Sequence, residues 1–175
     1  AKEVVAVVIT HSHVDHYGGI EGVVDPAALR AGKVRILAPE GFLEEAVSEN
    51  VLAGNHMTRR ATYMYGNLIP QGPQGGIGTG LGLATSSGTT TIPQPTEIVR
   101  RTGQTASIDG LTFEFLMAPG SEAPAEMHFF IPELKALCPA ENANHTMHNV
   151  YTLRGAKVRD ARRWAGYLHE TLERW

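Results

Sequence analysis

One cysteine, Cys138, stands in a chain of 175 residues, which excludes an internal disulfide framework and leaves the compartment undecided. No apolar run approaches the roughly 20 residues a helix needs to cross a bilayer, and the N-terminus lacks the basic-then-apolar order of an export signal. An excess of one charge is missing too. Fifteen basic and 18 acidic residues, mixed along the chain, leave a net charge of -3 and no electrostatic footprint for nucleic acid or an anionic membrane surface. There is no internal repeat and no boundary that would mark a second domain, so the expected unit is one domain over residues 1–175.

What is present begins with VVAVVIT, Val4 to Thr10, a β-branched run of the kind buried on both faces of a sheet, which delivers His11 at its C-terminal end. Asp25 and Pro26 read as the N-cap and first residue of a short helix that Gly32 ends, and KVRILAP reads as the next strand, giving a β-α-β rhythm. A long helical stretch from Glu40 to Tyr65, interrupted near Gly54, stops at Gly66 and Asn67. Residues 67–95 are rich in Gly, Pro, Ser and Thr without apolar periodicity and read as a long loop. Asp109-Gly110 between alternating apolar runs signals a hairpin, and two short strands follow around Pro132 and Glu133. An amphipathic helix is expected from Val158 to Trp175. The chain opens on a strand with no preceding turn and closes on an unterminated helix, so both ends are expected to continue into a longer polypeptide.

His11-Ser12-His13-Val14-Asp15-His16, followed by Gly18-Gly19, is the strongest chemical signal. Strand-like alternation sends His11 and His13 one way, while Asp15 and His16 can turn toward a neighbouring site. Imidazole suits zinc, and a carboxylate adds the charge that a second ion needs. Two such ions can clamp a substrate oxygen and acidify a bridging water. A solvated His-rich loop is the plain alternative, and this spacing weighs against it.

The motif resembles the HxHxDH signature of the metallo-β-lactamase superfamily, which implies an α/β fold, an αββα sandwich of two sheets with helices outside, of which this chain would hold a part. Most members continue with a histidine in a TPGHT-like turn. Here the stretch reads Ala118-Pro119-Gly120-Ser121-Glu122-Ala123-Pro124-Ala125-Glu126, with glutamates where the histidine would stand. The segments THSHVDHYGG, AVSENVLAGNHMTRRATYMYGNLIPQGP, APGSEAPAEMHF and CPAENANHTMHNVYTLRGAKVRDA are similar to the alkyl sulfatases that hydrolyse dodecyl sulfate and related detergents, and the resemblance runs from residue 1 to 175. It implies a zinc-dependent sulfuric ester hydrolase with two zinc ions, releasing an alcohol and inorganic sulfate through a metal-bound hydroxide, and a homodimer in the full-length enzyme. On the matching positions it implies one ion held by His11, His13 and Glu122, a second by Asp15 and His16, and Glu141 bridging or supporting both. The family's remaining ligand is a histidine from beyond the last helix; His169 reads as a residue on that helix's face. Glu126 rivals Glu122, and the resemblance favours Glu122.

An alkyl sulfate presents three anionic oxygens and an apolar tail. Arg154 can offer sulfate a planar fork that lysine cannot imitate. Tyr65-Gly66-Asn67 offers a phenol, an amide and backbone N–H groups, and the resemblance assigns Tyr65, Asn67 and Arg154 to the anion, with Asp15, Glu141 and Arg154 serving catalysis. His145 and His148 read as groups that brace the ligands or the core, ahead of a general acid for the leaving alcohol. Arg59, Arg60, Met57, Met64 and Trp164 read as helix surface and core. The alternatives are a thioesterase, lactonase or β-lactamase of the same superfamily, or a metal-binding piece without turnover.

Overall fold

A computed structural model describes residues 3–80, 82–146 and 148–175. Strands β1 (Ala6–Val8), β2 (Arg35–Pro39) and β3 (Glu97–Val99) form a parallel sheet in the order β1-β2-β3. Strands β4 (Thr105–Ile108), β5 (Leu111–Met117), β6 (Met127–Ile131) and β7 (Ala136–Cys138) form an antiparallel sheet in chain order. Parallel neighbours need crossovers. Helix α1 (Pro26–Arg30) supplies the first, with the Asp25 carboxylate accepting the Ala27 N–H at 2.6 Å. Helices α2 (Phe42–Val47) and α3 (Gly54–Tyr65) lie in the second, joined by a wide π-type turn, Ser48–Leu52. Helix α4 (Ala161–Arg174) ends the chain, and Asp160 caps it by accepting the N–H groups of Arg162 and Arg163.

Period-two alternation along the strands sorts side chains into layers. Ala6, Val8, Leu37, Phe113, Phe115, Met117, Met127 and Phe129 fill the space between the sheets. Ile9, Ile36 and Ala38, on the opposite face of the first sheet, pack with Tyr17, Ile20, Phe42 and Ala46. Beyond the second sheet, α4 stacks Trp175 on Phe130 at 5.6 Å and brings the Thr171 hydroxyl to 2.8 Å from His128. The result is the helix-sheet-sheet-helix order expected. Phe115 is fully buried between the sheets, where truncation to Ala costs about 3–5 kcal/mol.

Asp109 (φ 48°) and Gly110 (φ 80°) form the tight hairpin turn expected of them, since two successive positive-φ residues match the twist of the flanking strands. Other boundaries differ. The run Val4 to Thr10 is not buried on both faces: β1 is an edge strand, and Val4 and Val5 are exposed. Strand β3 was not expected, because three residues after a long loop carry no measurable period. The stretch expected from Glu40 starts at Phe42, after Gly41 in a left-handed conformation, and breaks at residues 48–52 rather than only near Gly54. Helix α4 begins three residues later than Val158, where the Asp160 cap outcompetes amphipathic patterning. Among the described residues no helix is long and apolar enough to cross a membrane.

Candidate metal centre

The His-rich motif lies on the seam between the sheets. After β1 the backbone leaves the first sheet, where the Ile9 N–H is still bonded to Leu37, and joins the second: Met127 donates to Thr10 at 2.9 Å, Ser12 donates to Ala125 at 3.1 Å, and His11 bridges Glu126. This pins His11, Ser12 and His13 in buried positions. A 3₁₀ turn, Val14–His16, then reverses the chain and leaves Asp15 and His16 outside. Gly18 lets that turn close, because a Cβ there would meet the Val14 carbonyl oxygen at 2.7 Å.

Ligand-type atoms of His11, His13, Glu122 and Glu141 lie within 4.8 Å of one another. His11 Nε2 is 3.6 Å from Glu122 Oε2 and 3.7 Å from Glu141 Oε2, while His13 Nδ1 is 2.9 Å from Glu122 Oε2. His11 Nε2 is buried without a hydrogen-bond partner, and the Glu122 Oε2 it faces meets only His13 Nδ1 at close range. Buried polar atoms are ordinarily satisfied, so an unpartnered imidazole nitrogen facing a buried carboxylate points to a group that binds both. Imidazole nitrogens and carboxylate oxygens at this spacing fit a zinc-like cation.

Glu122 reaches the cluster because its neighbours bind the turn, not the cluster. Glu126 folds inward, its Oε2 meeting the Ala123 N–H at 2.7 Å and the Ser121 hydroxyl at 3.0 Å, and burial pushes its carboxyl up to about 8. Of the two rival glutamates, the fold brings Glu122 to the histidines. Glu141 follows Ala140, a non-glycine residue at φ 52°, a costly conformation of the kind that gathers at functional sites. Asn142 ties the two loops together. Its Oδ1 accepts the Glu122 N–H at 3.2 Å, and its Nδ2 donates to Ser121 Oγ at 3.0 Å and to His128 Nε2 at 2.6 Å. Trp164 Nε1 donates to the Asn142 carbonyl.

Charge follows geometry. His11 and then His16 hold the Glu141 carboxyl far below the usual carboxylate range. Burial would push Glu122 up, but His13 and Arg159 outweigh it and leave the carboxyl lowered. Burial lowers His11, whereas the bond to Glu141 raises His16. Both carboxyls of the cluster, Glu122 and Glu141, are thus favoured in their ionised form.

His16 Nε2 lies 3.2 Å from Glu141 Oε2 and 3.5 Å from Asp15 Oδ2, so the remaining motif residues flank the cluster through Glu141. His148 Nε2 is 2.7 Å from the Glu141 carbonyl oxygen and its Nδ1 is 3.9 Å from Glu122, a bracing position; His145 is exposed. Arg154 Nη1 donates to Glu49 Oε1 at 2.5 Å. Tyr65 and Asn67 stand at the end of α3, half-buried and exposed, and among the described residues no hydrogen bond joins their side chains to the cluster. Met57 and Trp164 are buried, while Arg59, Arg60 and His169 are exposed.

Asn142, Arg159 and Glu49 escaped the sequence. Arg159 donates from Nη2 to Glu122 Oε1 at 2.6 Å and from Nη1 to the Asn149 carbonyl, yet it fell within the stretch from Val158 expected only as an amphipathic helix. Glu49 lay in an unremarkable helical pattern.

Seam, cluster and layer order together define a class: the chain belongs to the metallo-beta-lactamase superfamily, which residues 1–173 match. Within it the chain is 62% identical over 174 residues to a linear primary-alkylsulfatase of Pseudomonas sp, covering 99% of this chain and 26% of that protein. It is 45% identical over 175 residues to an (R)-specific secondary-alkylsulfatase of Pseudomonas sp, again covering 99% of this chain and 26% of the relative. The solved structure of the stereoselective inverting sec-alkylsulfatase Pisa1 from Pseudomonas sp. superposes with a TM-score of 0.93 at 44% identity, over 100% of this chain and 28% of that one. The chain spans about a quarter of the length of these relatives.

Proposed function

We propose that this chain carries the metal-binding part of a zinc-dependent alkyl sulfatase, cleaving esters of the dodecyl sulfate type to an alcohol and inorganic sulfate. The observation that carries the reading is the buried meeting of His11, His13, Glu122 and Glu141 in a chain so similar to alkylsulfatases. A carboxylate where a neutral imidazole would otherwise stand adds negative charge that suits two dications. His11, His13 and Glu122 would hold one zinc, Asp15 and His16 a second, and Glu141 both. Bound there, zinc supplies Lewis acidity toward the ester and brings the pKa of a water near neutrality.

The chain's own residues do the rest. Glu141, its carboxyl held so low, stays anionic throughout and can orient the attacking water. Arg154 gives one N–H to Glu49 and keeps the others for sulfate oxygens, with Tyr65 and Asn67 completing the anion's surroundings. Sulfate release from dodecyl sulfate, measured beside nitrocefin and a thioester on the zinc-loaded complete polypeptide, tests the reading. Sulfate release alone supports it; hydrolysis of nitrocefin or thioester without sulfate release assigns a different hydrolase of the superfamily; zinc uptake without any turnover assigns a binding role.

A further inference from the structure

Helix α2 buries Phe42 and Ala46 against the first sheet. Positions three and four residues beyond Ala46 continue that inner face, and they are Glu49 and Asn50, at the wide turn Ser48–Leu52. Turns of this π-type frequently mark functional sites. Asn50 Nδ2 donates to the Ala46 carbonyl and to the Tyr17 hydroxyl, each at 3.0 Å, anchoring the turn. The Glu49 side chain is only 10% exposed, and a carboxylate so placed needs strong partners.

One is in place, since Oε1 accepts from Arg154 Nη1; Oε2 faces His13 Nε2 across 4.0 Å, a gap that a small rotation or one bridging water closes. His13 turns Nδ1, not Nε2, toward Glu122 and the cluster. Its Nε2 points the other way and is buried with no hydrogen-bond partner. A neutral imidazole that binds a cation through Nδ1 carries its proton on Nε2, and that proton needs an acceptor to fix ring and tautomer. Glu49 is the carboxylate that faces it.

We infer that Glu49 is a positioning residue: one carboxylate oxygen accepts the Nε2 proton of His13 while the other clamps Arg154, so a single side chain couples the metal centre to the anion-binding arginine. The inference rests on the sulfatase reading for the role of Arg154, and on the metal cluster for that of His13.

The test uses Glu49→Ala and Glu49→Gln in the complete polypeptide, with zinc affinity by chelator competition, the visible spectrum after cobalt substitution, and KM and kcat for dodecyl sulfate. Glu49→Ala should loosen zinc by about 10–100-fold and shift the cobalt bands. Glu49→Gln keeps an oxygen acceptor for His13 but no charge for Arg154, so it should retain most of the zinc affinity while KM rises. Folded Glu49→Ala protein with parental zinc affinity and cobalt spectrum overturns the inference. If Glu49→Ala does not fold, the isosteric Glu49→Gln decides alone: a parental KM overturns it and a raised KM with near-parental zinc affinity supports it. A parent without sulfate release sinks the sulfatase reading instead; zinc affinity and the cobalt spectrum, which need no substrate, then decide whether Glu49 positions His13.

Discussion

Asn142 holds Glu122 by the backbone, its amide oxygen accepting the Glu122 N–H at 3.2 Å, so the residue next to one candidate ligand sets the loop that carries another. From the same side chain a chain of bonds runs through His128 to the Thr171 hydroxyl, which donates to the Tyr167 carbonyl in α4. Asn142→Ala leaves the Glu122 N–H, Ser121 and His128 short of a buried partner, at about 1–3 kcal/mol for each group left unsatisfied. The thermal midpoint should fall by several degrees and zinc affinity should drop with it, read by circular dichroism and chelator competition.

Glu122 and Glu126 should respond oppositely to the same change. Glu122→Gln removes a charged donor from the cluster, and zinc affinity should fall by at least about tenfold. Glu126→Gln should leave zinc binding near the parent value, since that carboxyl bonds to its own turn. Metal analysis after dialysis separates the two; loss of zinc only from the Glu126 variant would reverse the assignment.

His128 makes acid stability measurable. Burial lowers its pKa to about 4, against an ordinary value of 6.5. The unfolded state therefore binds the proton first, so stability is present above 6.5 and is lost as pH falls toward 4, by on the order of 3 kcal/mol. Glu126, raised to about 8, works the other way: its contribution is complete below the ordinary carboxylate range and is lost as pH rises through 8. In metal-free protein, the drop in urea midpoint between pH 7 and pH 5 should be smaller in His128→Gln than in the parent, and Glu126→Gln should be the more stable variant at pH 8. Unchanged slopes in both would contradict these environments.

On the proposed reading, Arg154→Lys in the complete polypeptide preserves charge but not the fork, so kcat/KM for dodecyl sulfate should fall about 10–100-fold with a much smaller change in zinc affinity. Arg154→Ala should be worse and also less stable, because it strands the buried carboxylate of Glu49. Parental turnover by both variants would place Arg154 outside the sulfate site.

Legibility tracked distance along the chain. The hairpin at Asp109-Gly110 and the Asp25 cap were readable because their physics is complete within a few residues. The histidines of the motif were readable for the same reason. Glu122 and Glu141 stood out only through resemblance to a family, since an isolated glutamate in a turn looks like solvent-facing surface. Glu49, Asn142 and Arg159 stayed hidden because each is a polar residue in a helical or loop pattern, and only the packing of remote segments turns it inward. The short β3 was invisible for want of length, yet its register with β2 helps close the first sheet.

The seam where the backbone after β1 passes from one sheet to the other also bears on how the protein assembles. Histidines from the start of the chain meet carboxylates from its second half, so a cation bound among them acts as a reversible cross-link closing a loop that takes in most of the sequence. Closing so long a loop has a large entropic cost in the unfolded chain, while lengthening it further adds little. Metal loading should therefore slow global unfolding more than it stiffens either sheet, and a chelator should open the molecule along the seam first. Hydrogen exchange at the Ser12 and Met127 amides, which stitch that seam, reports the opening directly.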